Sequence, residues 1–121
     1  MRFVAVVSGP DEPVCAYILL WIGARPSDVE RYSKLGIPLS LRSDAALAPC
    51  VADEWQGRGL GSAMMRPLLD LARRLGVRRI VLWDGVMQQN ARAVHFYTRL
   101  GFRKVGEFVT GHASDDMILE L

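Results

Sequence analysis

The sequence predicts an α/β domain in which helices flank a mixed, largely antiparallel β-sheet. Runs of β-branched and aromatic residues occur near both ends of the chain. In the middle, two stretches have apolar residues at helical spacing, each is followed by glycine, and a short apolar strand lies between them. Such alternation predicts helices packed on a mixed sheet. The expected order is β-β-(short α)-β-α-β-α-β-β.

Length and composition favour one globular domain over residues 1–121. A chain of 121 residues, half of them hydrophobic, is large enough for one core and near the lower end of the usual domain size. A formal charge of +2 is too small for a nucleic-acid or membrane-surface binding protein. The two cysteines and two histidines form no metal-ligand pattern. Since no export signal or membrane-spanning run is evident, we expect a cytoplasmic protein.

The N-terminal part predicts a hairpin followed by a short helix. Residues 3–7 and 14–22 are β-branched and aromatic runs, and turn-forming residues separate them. Pro26 can begin a helix, with Ser27 as the expected cap, and Gly36 can end it.

The next two elements are a strand and the clearest helix. Residues 40–52 predict a strand with a bulge at Pro49, because proline has no N–H for a central ladder. From 59 to 75 the apolar positions follow a 3.6-residue period, and Gly76 ends the pattern.

The C-terminal part predicts a strand, a helix and two final strands. Residues 79–83 form a short buried strand, and residues 90–100 form a helix that Gly101 ends. The last two strands are expected at 104–110 and 117–121.

A glycine-rich turn precedes the clearest helix, with the sequence Gln-Gly-Arg-Gly-Leu-Gly-Ser over residues 56–62. Glycines let an anion approach the backbone, and a helix start supplies N–H donors and a partial positive charge. The spacing matches neither the Walker loop nor the dinucleotide-binding turn. It therefore predicts a phosphate site of another kind, and the alternative is a tight turn without a ligand.

Two segments together resemble the GNAT superfamily of N-acetyltransferases. The turn at 56–62 is similar to the Q/R-x-x-G-x-G/A loop, and residues 90–102 are similar to the N-x-x-A-x-x-F-Y-x-x-x-G-F segment. The resemblance is sharp over 51–102 and extends over roughly 3–121. It implies a GNAT-like fold, acetyl-CoA as cosubstrate, and direct acetyl transfer in a ternary complex to a primary amine of a small molecule or protein.

The resemblance also implies where acetyl-CoA binds. The backbone of Cys50 and Val51 would face the thioester carbonyl, because a splayed strand lets the pantetheine arm insert beside it. Asn90 would contact that arm, and a helix cap is its alternative role. The pyrophosphate loop would consist of Gln56, Gly57, Arg58, Gly59, Leu60, Gly61 and Ser62.

For catalysis, the resemblance implies that Tyr97 protonates the departing thiolate, with a core aromatic residue as the alternative. Asn90 and Tyr97 lie seven residues, about two helical turns, apart and thus share a helix face. The family position of a glutamate base is Ala45 in this sequence. The adjacent Asp44 is a candidate base, in competition with a water chain to solvent.

Other polar residues are given structural roles. Cys50 is expected to be a buried thiol. Asp115 and Asp116 are expected to be solvated turn charges near His112, although they could attract a cationic substrate.

The chain begins almost at the hairpin, whereas the family usually has a first strand and two helices before it. Residues 23–39 or a partner subunit could replace these elements, and the uncovered sheet edge leads us to expect a homodimer. The rival function is a non-catalytic acyl-CoA-binding or regulatory module with an incomplete acceptor site. A third alternative is a purely structural domain.

Overall fold

The structure is a computed structural model that describes residues 2–8, 14–51, 56–57 and 59–121. Within these ranges no helix is long and apolar enough to cross a membrane. In chain order the elements are β1 (Arg2–Ser8), β2 (Val14–Ile22), α1 (Pro26–Lys34), β3 (Asp44–Val51), α2 (Leu60–Arg74), β4 (Arg79–Leu82), β5 (Val86–Met87), α3 (Ala91–Leu100), β6 (Arg103–Val109) and β7 (Ala113–Glu120).

The strands form a mixed sheet in the order β1-β2-β3-β4-β7-β5, and β6 also pairs with β7. The β3–β4 pair is parallel and the other pairs are antiparallel. This arrangement confirms the predicted fold class. The sequence does not predict β5, because two residues have no measurable periodicity. In addition, β7 begins at Ala113 rather than at residue 117.

Two apolar clusters cover the two faces of the sheet. On one face, here called the groove face, α2 and α3 pack over strand residues that include Ile18, Leu47 and Ile80. On the opposite face, here called the α1 face, Tyr32 of α1 packs in a cluster with Val81. Burial of a large apolar side chain contributes about 1.5–3 kcal/mol, so both clusters stabilise the sheet.

The two longer helices begin and end close to the predicted residues. Gly59 is the N-cap residue of α2 and has a φ of 78°, and the helix ends before Gly76. Asn90 caps α3, because its Oδ1 accepts the Ala93 N–H at 3.2 Å. Gly101 ends α3 in the left-handed conformation that glycine adopts without strain.

The start of α1 shows that the predicted Ser27 cap is wrong. The helix begins at Pro26 with Arg25 as its N-cap residue, and no described side chain makes a cap hydrogen bond. Proline suits the first helical position because its φ is already helical and its missing N–H has no acceptor there. The Ser27 hydroxyl instead donates to Asp84 Oδ1 at 3.4 Å, beyond the end of β4.

The predicted bulge at Pro49 is also wrong. β2 and β3 pair without a register shift, whereas the pairing of β3 with β4 ends at Leu47 and Leu82. The Leu47 carbonyl accepts the Trp83 N–H at 2.9 Å, so the backbone groups of Leu47, and of Pro49 two residues on, face the β4 side. The N–H that Pro49 lacks therefore falls where β3 has no neighbour among the described strands, so no ladder bond is lost between them.

Asp44 is buried at the N-terminal end of β3. Arg79 Nε donates to its Oδ1 at 3.0 Å and Arg79 Nη2 to its Oδ2 at 2.8 Å. The Ser40 N–H also donates to Oδ2, at 2.7 Å. Hydrogen bonding to Asp44 raises the pKa of Arg79, so the guanidinium keeps its charge. The ion pair thus joins the starts of the two parallel strands.

We expect Asp44→Ala to lower the free energy of unfolding by about 2–4 kcal/mol, measured by urea denaturation. Its loss removes the ion-pair partner of Arg79, which keeps only the Pro38 carbonyl as acceptor, and it leaves the Ser40 N–H without its acceptor.

The matched control is Asp70→Ala on α2, where Asp70 pairs with Arg73 and both side chains are more than half exposed. An exposed pair of this kind should contribute less than about 0.5 kcal/mol. Equal losses in the two variants would contradict the structural role of Asp44.

Candidate functional site

A groove of about 800 Å³ opens on the groove face where β3 and β4 part. It is bounded by the end of β3, the glycine-rich turn, the first turns of α2, and α3. Arg58 lies outside the described residues. The predicted site residues that line the groove are Cys50, Gln56, Gly57, Gly59, Leu60, Gly61, Ser62, Asn90 and Tyr97.

The start of α2 faces this groove with its backbone donors. The first intrahelical bond runs from the Ala63 N–H to the Gly59 carbonyl at 3.0 Å, so helix geometry leaves the three preceding N–H groups without an intrahelical acceptor. No described side chain makes a cap hydrogen bond there, and the first turn holds no acidic residue. The helix dipole therefore presents a partial positive charge to the groove.

A close approach between helices holds the turn in place. A Cβ on Gly61 would lie 3.2 Å from the Phe96 ring, which is tighter than an ordinary van der Waals contact. Glycine at 61 thus lets the first turn of α2 rest against α3. The turn and the residues of α3 are consequently held as one wall of the groove.

Four basic or titratable side chains also line the groove, namely Arg66 on α2 and Arg92, His95 and Arg99 on α3. The sequence motifs do not identify them as site residues. Arg92, His95 and Arg99 lie on one face of α3, because residues three and four apart on a helix are neighbours, and this spacing is the signal that could have found them. Arg66 has no comparable signal in the sequence. Arg92 also touches the glycine-rich turn, since its Nη1 donates to Gln56 Oε1 at 3.3 Å.

Strand alternation separates the roles of Cys50 and Val51. The Asp44 carbonyl accepts the Gly23 N–H at 2.7 Å, so even-numbered residues of β3 face β2. The backbone of Cys50 therefore faces its partner Tyr17, and the backbone of Val51 faces the open side. The Cys50 side chain is exposed, and the expectation of a buried thiol is wrong.

Tyr97 combines burial with access to the groove. Its residue is 8% exposed, and its ring packs edge to face against Phe96 and Phe102, with centroids 5.4 Å and 5.5 Å away. Burial raises the pKa of Tyr97, so the hydroxyl keeps its proton at neutral pH. Asn90 lines the same groove and caps α3, so the cap and groove positions coincide in one residue.

The structure does not bring Asp44 to the groove. Asp44 and Cys50 lie six residues apart on β3, which corresponds to about 20 Å of extended strand. Both Asp44 oxygens already accept hydrogen bonds from Arg79. The unbroken register of β3 also removes the bulge that could have turned its side chain to the other face.

Asp115 and Asp116 are buried, so the expectation of solvated turn charges is wrong. Both belong to β7, which begins earlier than predicted. Asp116 Oδ2 accepts from Arg31 Nε at 3.0 Å, and Asp115 Oδ1 accepts from Gln88 Nε2 at 2.8 Å and lies 3.3 Å from Lys104 Nζ. These partners come from distant parts of the chain, which is why local patterns do not reveal them.

Comparisons with known proteins agree with this geometry. The Acetyltransferase (GNAT) family profile matches residues 45–102. An uncharacterized N-acetyltransferase of Methanocaldococcus jannaschii is 39% identical over 54 residues, which is 45% of this chain and 23% of that protein. The sequence match thus spans less than a quarter of the relative's length.

Solved structures of N-acetyltransferases share the fold. A GCN5-related N-acetyltransferase from Kribbella flavida superposes with a TM-score of 0.74 at 23% identity, over 99% of this chain and 68% of that chain. A candidate acetyltransferase of Salmonella typhimurium, solved with its cofactor acetyl-CoA, superposes with a TM-score of 0.68 at 23% identity, over 89% of this chain and 58% of that chain.

We expect Asn90→Ala to lower the free energy of unfolding by about 1 kcal/mol, because the Ala93 N–H loses its cap acceptor. Asn90→Asp keeps a cap oxygen and should change stability by less than about 0.5 kcal/mol. Chemical denaturation of the two variants measures the difference. Equal stability of Asn90→Ala and the unsubstituted chain would show that the cap contributes nothing.

Proposed function

We propose that this chain is a member of the GNAT superfamily that binds acetyl-CoA in the groove and transfers the acetyl group to a primary amine. The observation that carries the proposal is that the start of α2 and the buried Tyr97 line one groove. The first suits the phosphates of the coenzyme, and the second suits a thiolate that must be protonated. The acetyl-CoA in the structural relative supports this choice of cosubstrate.

The start of α2 would hold the pyrophosphate. The N–H groups of Leu60, Gly61 and Ser62 have no intrahelical acceptor, and anions bind at such helix starts. Arg92 and Arg66 line the same groove and add charge-assisted hydrogen bonds. The groove therefore offers both dipolar and ionic partners to a polyanion.

The end of β3 would hold the pantetheine arm. Beyond Leu47, β3 has no neighbour on its β4 side within the part of the chain that the structure describes, and the Val51 backbone faces that side. An extended amide-bearing chain can pair with such an edge as an additional strand does. Asn90, on the opposite wall, can bond to the same arm while its Oδ1 caps α3.

Tyr97 would act as the proton donor. When bound, acetyl-CoA supplies a thioester whose acetyl carbon bonds to the amine nitrogen as the carbon–sulfur bond breaks. The Tyr97 hydroxyl gives its proton to the departing sulfur and regains one from solvent. The substrate ammonium loses one proton before the nitrogen reacts and a second as the amide forms. We propose water as the acceptor of both protons, because Arg79 holds Asp44 at the far end of β3.

Binding of acetyl-CoA can be tested by thermal shift. At 100 times its Kd, acetyl-CoA should stabilise the chain by about 2.7 kcal/mol. Arg92→Ala should weaken acetyl-CoA about tenfold, because one charge-assisted contact is lost. The affinity for S-acetylpantetheine, which lacks the phosphates that Arg92 would contact, should be the same in both proteins. No shift with acetyl-CoA at millimolar concentration would overturn the proposed function.

The proton donor can be tested with two buried tyrosines. We expect Tyr97→Phe to lower kcat for acetyl transfer to an amine panel by about 100-fold while the KM for acetyl-CoA changes little. Tyr32→Phe is the matched control, because the Tyr32 hydroxyl donates to the Met117 carbonyl at 3.0 Å within the α1-face cluster. That variant should lose about 1 kcal/mol of stability and keep its kcat. Unchanged kcat in Tyr97→Phe would refute the assignment.

A further inference from the structure

We infer that Trp21, Trp83 and Asp84 form a binding site for a cationic group of the substrate on the α1 face. The inference rests on the proposed function, because it concerns the amine that would receive the acetyl group. It assigns a substrate class, namely a primary amine that carries a second cation.

Trp83 lies at the point where the split between the strands begins. Its N–H makes the last bond between the two strands, to the Leu47 carbonyl at 2.9 Å. Its side chain packs with the cluster of the α1 face, whereas Tyr97 and the groove lie on the other face. A molecule that approaches the split from the α1 face therefore meets Trp83 while the coenzyme groove lies behind it.

Two tryptophans form the floor of this site. The Trp21 and Trp83 rings meet edge to face with centroids 5.1 Å apart, and both residues are half-buried. Tryptophan is the aromatic side chain that attracts cations most strongly, and partial desolvation increases the attraction. The pair therefore offers two ring faces to positive charge.

The chain's own arginines show that these rings bind cations. The Arg25 guanidinium lies 4.5 Å from the Trp83 centroid, and its Nη1 donates to Asp84 Oδ2 at 2.9 Å. The Arg2 guanidinium lies 4.6 Å from the Trp21 centroid. The Arg25 and Asp84 side chains are 35% and 53% exposed, so their ion pair is worth only about 0–1 kcal/mol. A ligand cation can therefore replace Arg25 with only a small loss of free energy.

Asp84 is the carboxylate that an incoming cation can use. The charged groups beside the site balance, with three aspartates against three arginines, namely Asp28, Asp84 and Asp116 against Arg2, Arg25 and Arg31. Asp28 and Asp116 are buried and both contact Arg31, whereas the half-exposed Asp84 pairs with Arg25. Displacement of Arg25 therefore leaves Asp84 able to pair with a ligand cation.

These features select the class of amine. A compound with two cationic ends can place one end over Trp83 and beside Asp84 while the other, a primary amine, reaches the split. A monoamine can make only one of these contacts. We therefore expect a diamine or a guanidine-bearing amine to bind more tightly than a monoamine of the same length.

Isothermal titration calorimetry on the whole chain, with and without acetyl-CoA, tests the inference without turnover. The probes are 1,4-diaminobutane and agmatine, and butylamine is the monoamine control. We expect both dications to bind about tenfold more tightly than butylamine. Trp83→Leu and Asp84→Asn should each remove most of that difference, and Asp70→Asn on α2 should leave it unchanged.

The direction in which Arg25→Ala changes the affinity for agmatine is the decisive result. If Arg25 occupies the cation site, its removal should tighten agmatine several-fold. Weaker agmatine binding in a folded Arg25→Ala variant, or equal affinity for dications and butylamine, would overturn the inference. Thermal denaturation shows whether each variant is folded. If Trp83→Leu does not fold, Asp84→Asn tests the cation site in its place. Acetyl-CoA binding is measured in a separate experiment. Failure of the proposed function would abolish acetyl-CoA binding, whereas failure of the amine site would change only the affinities for the amines.

Discussion

The arrangement of the molecule depends on the point at which β3 and β4 stop pairing. The two strands are parallel neighbours for four residue pairs, from Asp44–Arg79 to Leu47–Leu82, and then part. A parallel pair needs a crossover, and α2 supplies it, so the start of α2 is carried to the same end of the sheet as the opening. The Tyr97 ring comes to that end through α3. A groove, its backbone donors and the buried Tyr97 hydroxyl are thus consequences of one short ladder.

The groove face carries a concentration of positive charge around this opening. Three arginines and the start of α2 provide positive potential there. On the α1 face, three carboxylates are balanced by three arginines, Arg2, Arg25 and Arg31. The formal net charge of +2 averages over this difference. An anionic ligand would therefore meet complementary potential from the groove side.

Local patterns predict the parts of this fold that local physics determines. The periodicity and terminal glycines of α2 and α3 give their bounds to within a residue or two. The rule that proline breaks a ladder is valid, but the position of Pro49 relative to β4 is a tertiary fact, so the predicted bulge does not occur.

The burial of Asp115 and Asp116 is likewise set by partners from distant elements, and no local pattern contains it. The motifs at 56–62 and 90–102 do predict the groove. Each of them places small residues and hydrogen-bonding groups at the start of a helix, and those groups are visible in the local sequence. Arg66 becomes recognisable as a groove residue only when the two helices are seen on one face.

Arg31 connects α1 to the sheet in a way that affects how the protein opens. Its guanidinium lies between Asp28 of its own helix and Asp116 of β7, 4.1 Å from the centroid of the Phe108 ring. Detaching α1 would leave the buried Asp116 without its counter-charge, at a cost of several kcal/mol. A nine-residue helix also has little stability alone. The amides of α1 should therefore exchange with solvent together with those of β7, as one cooperative unit.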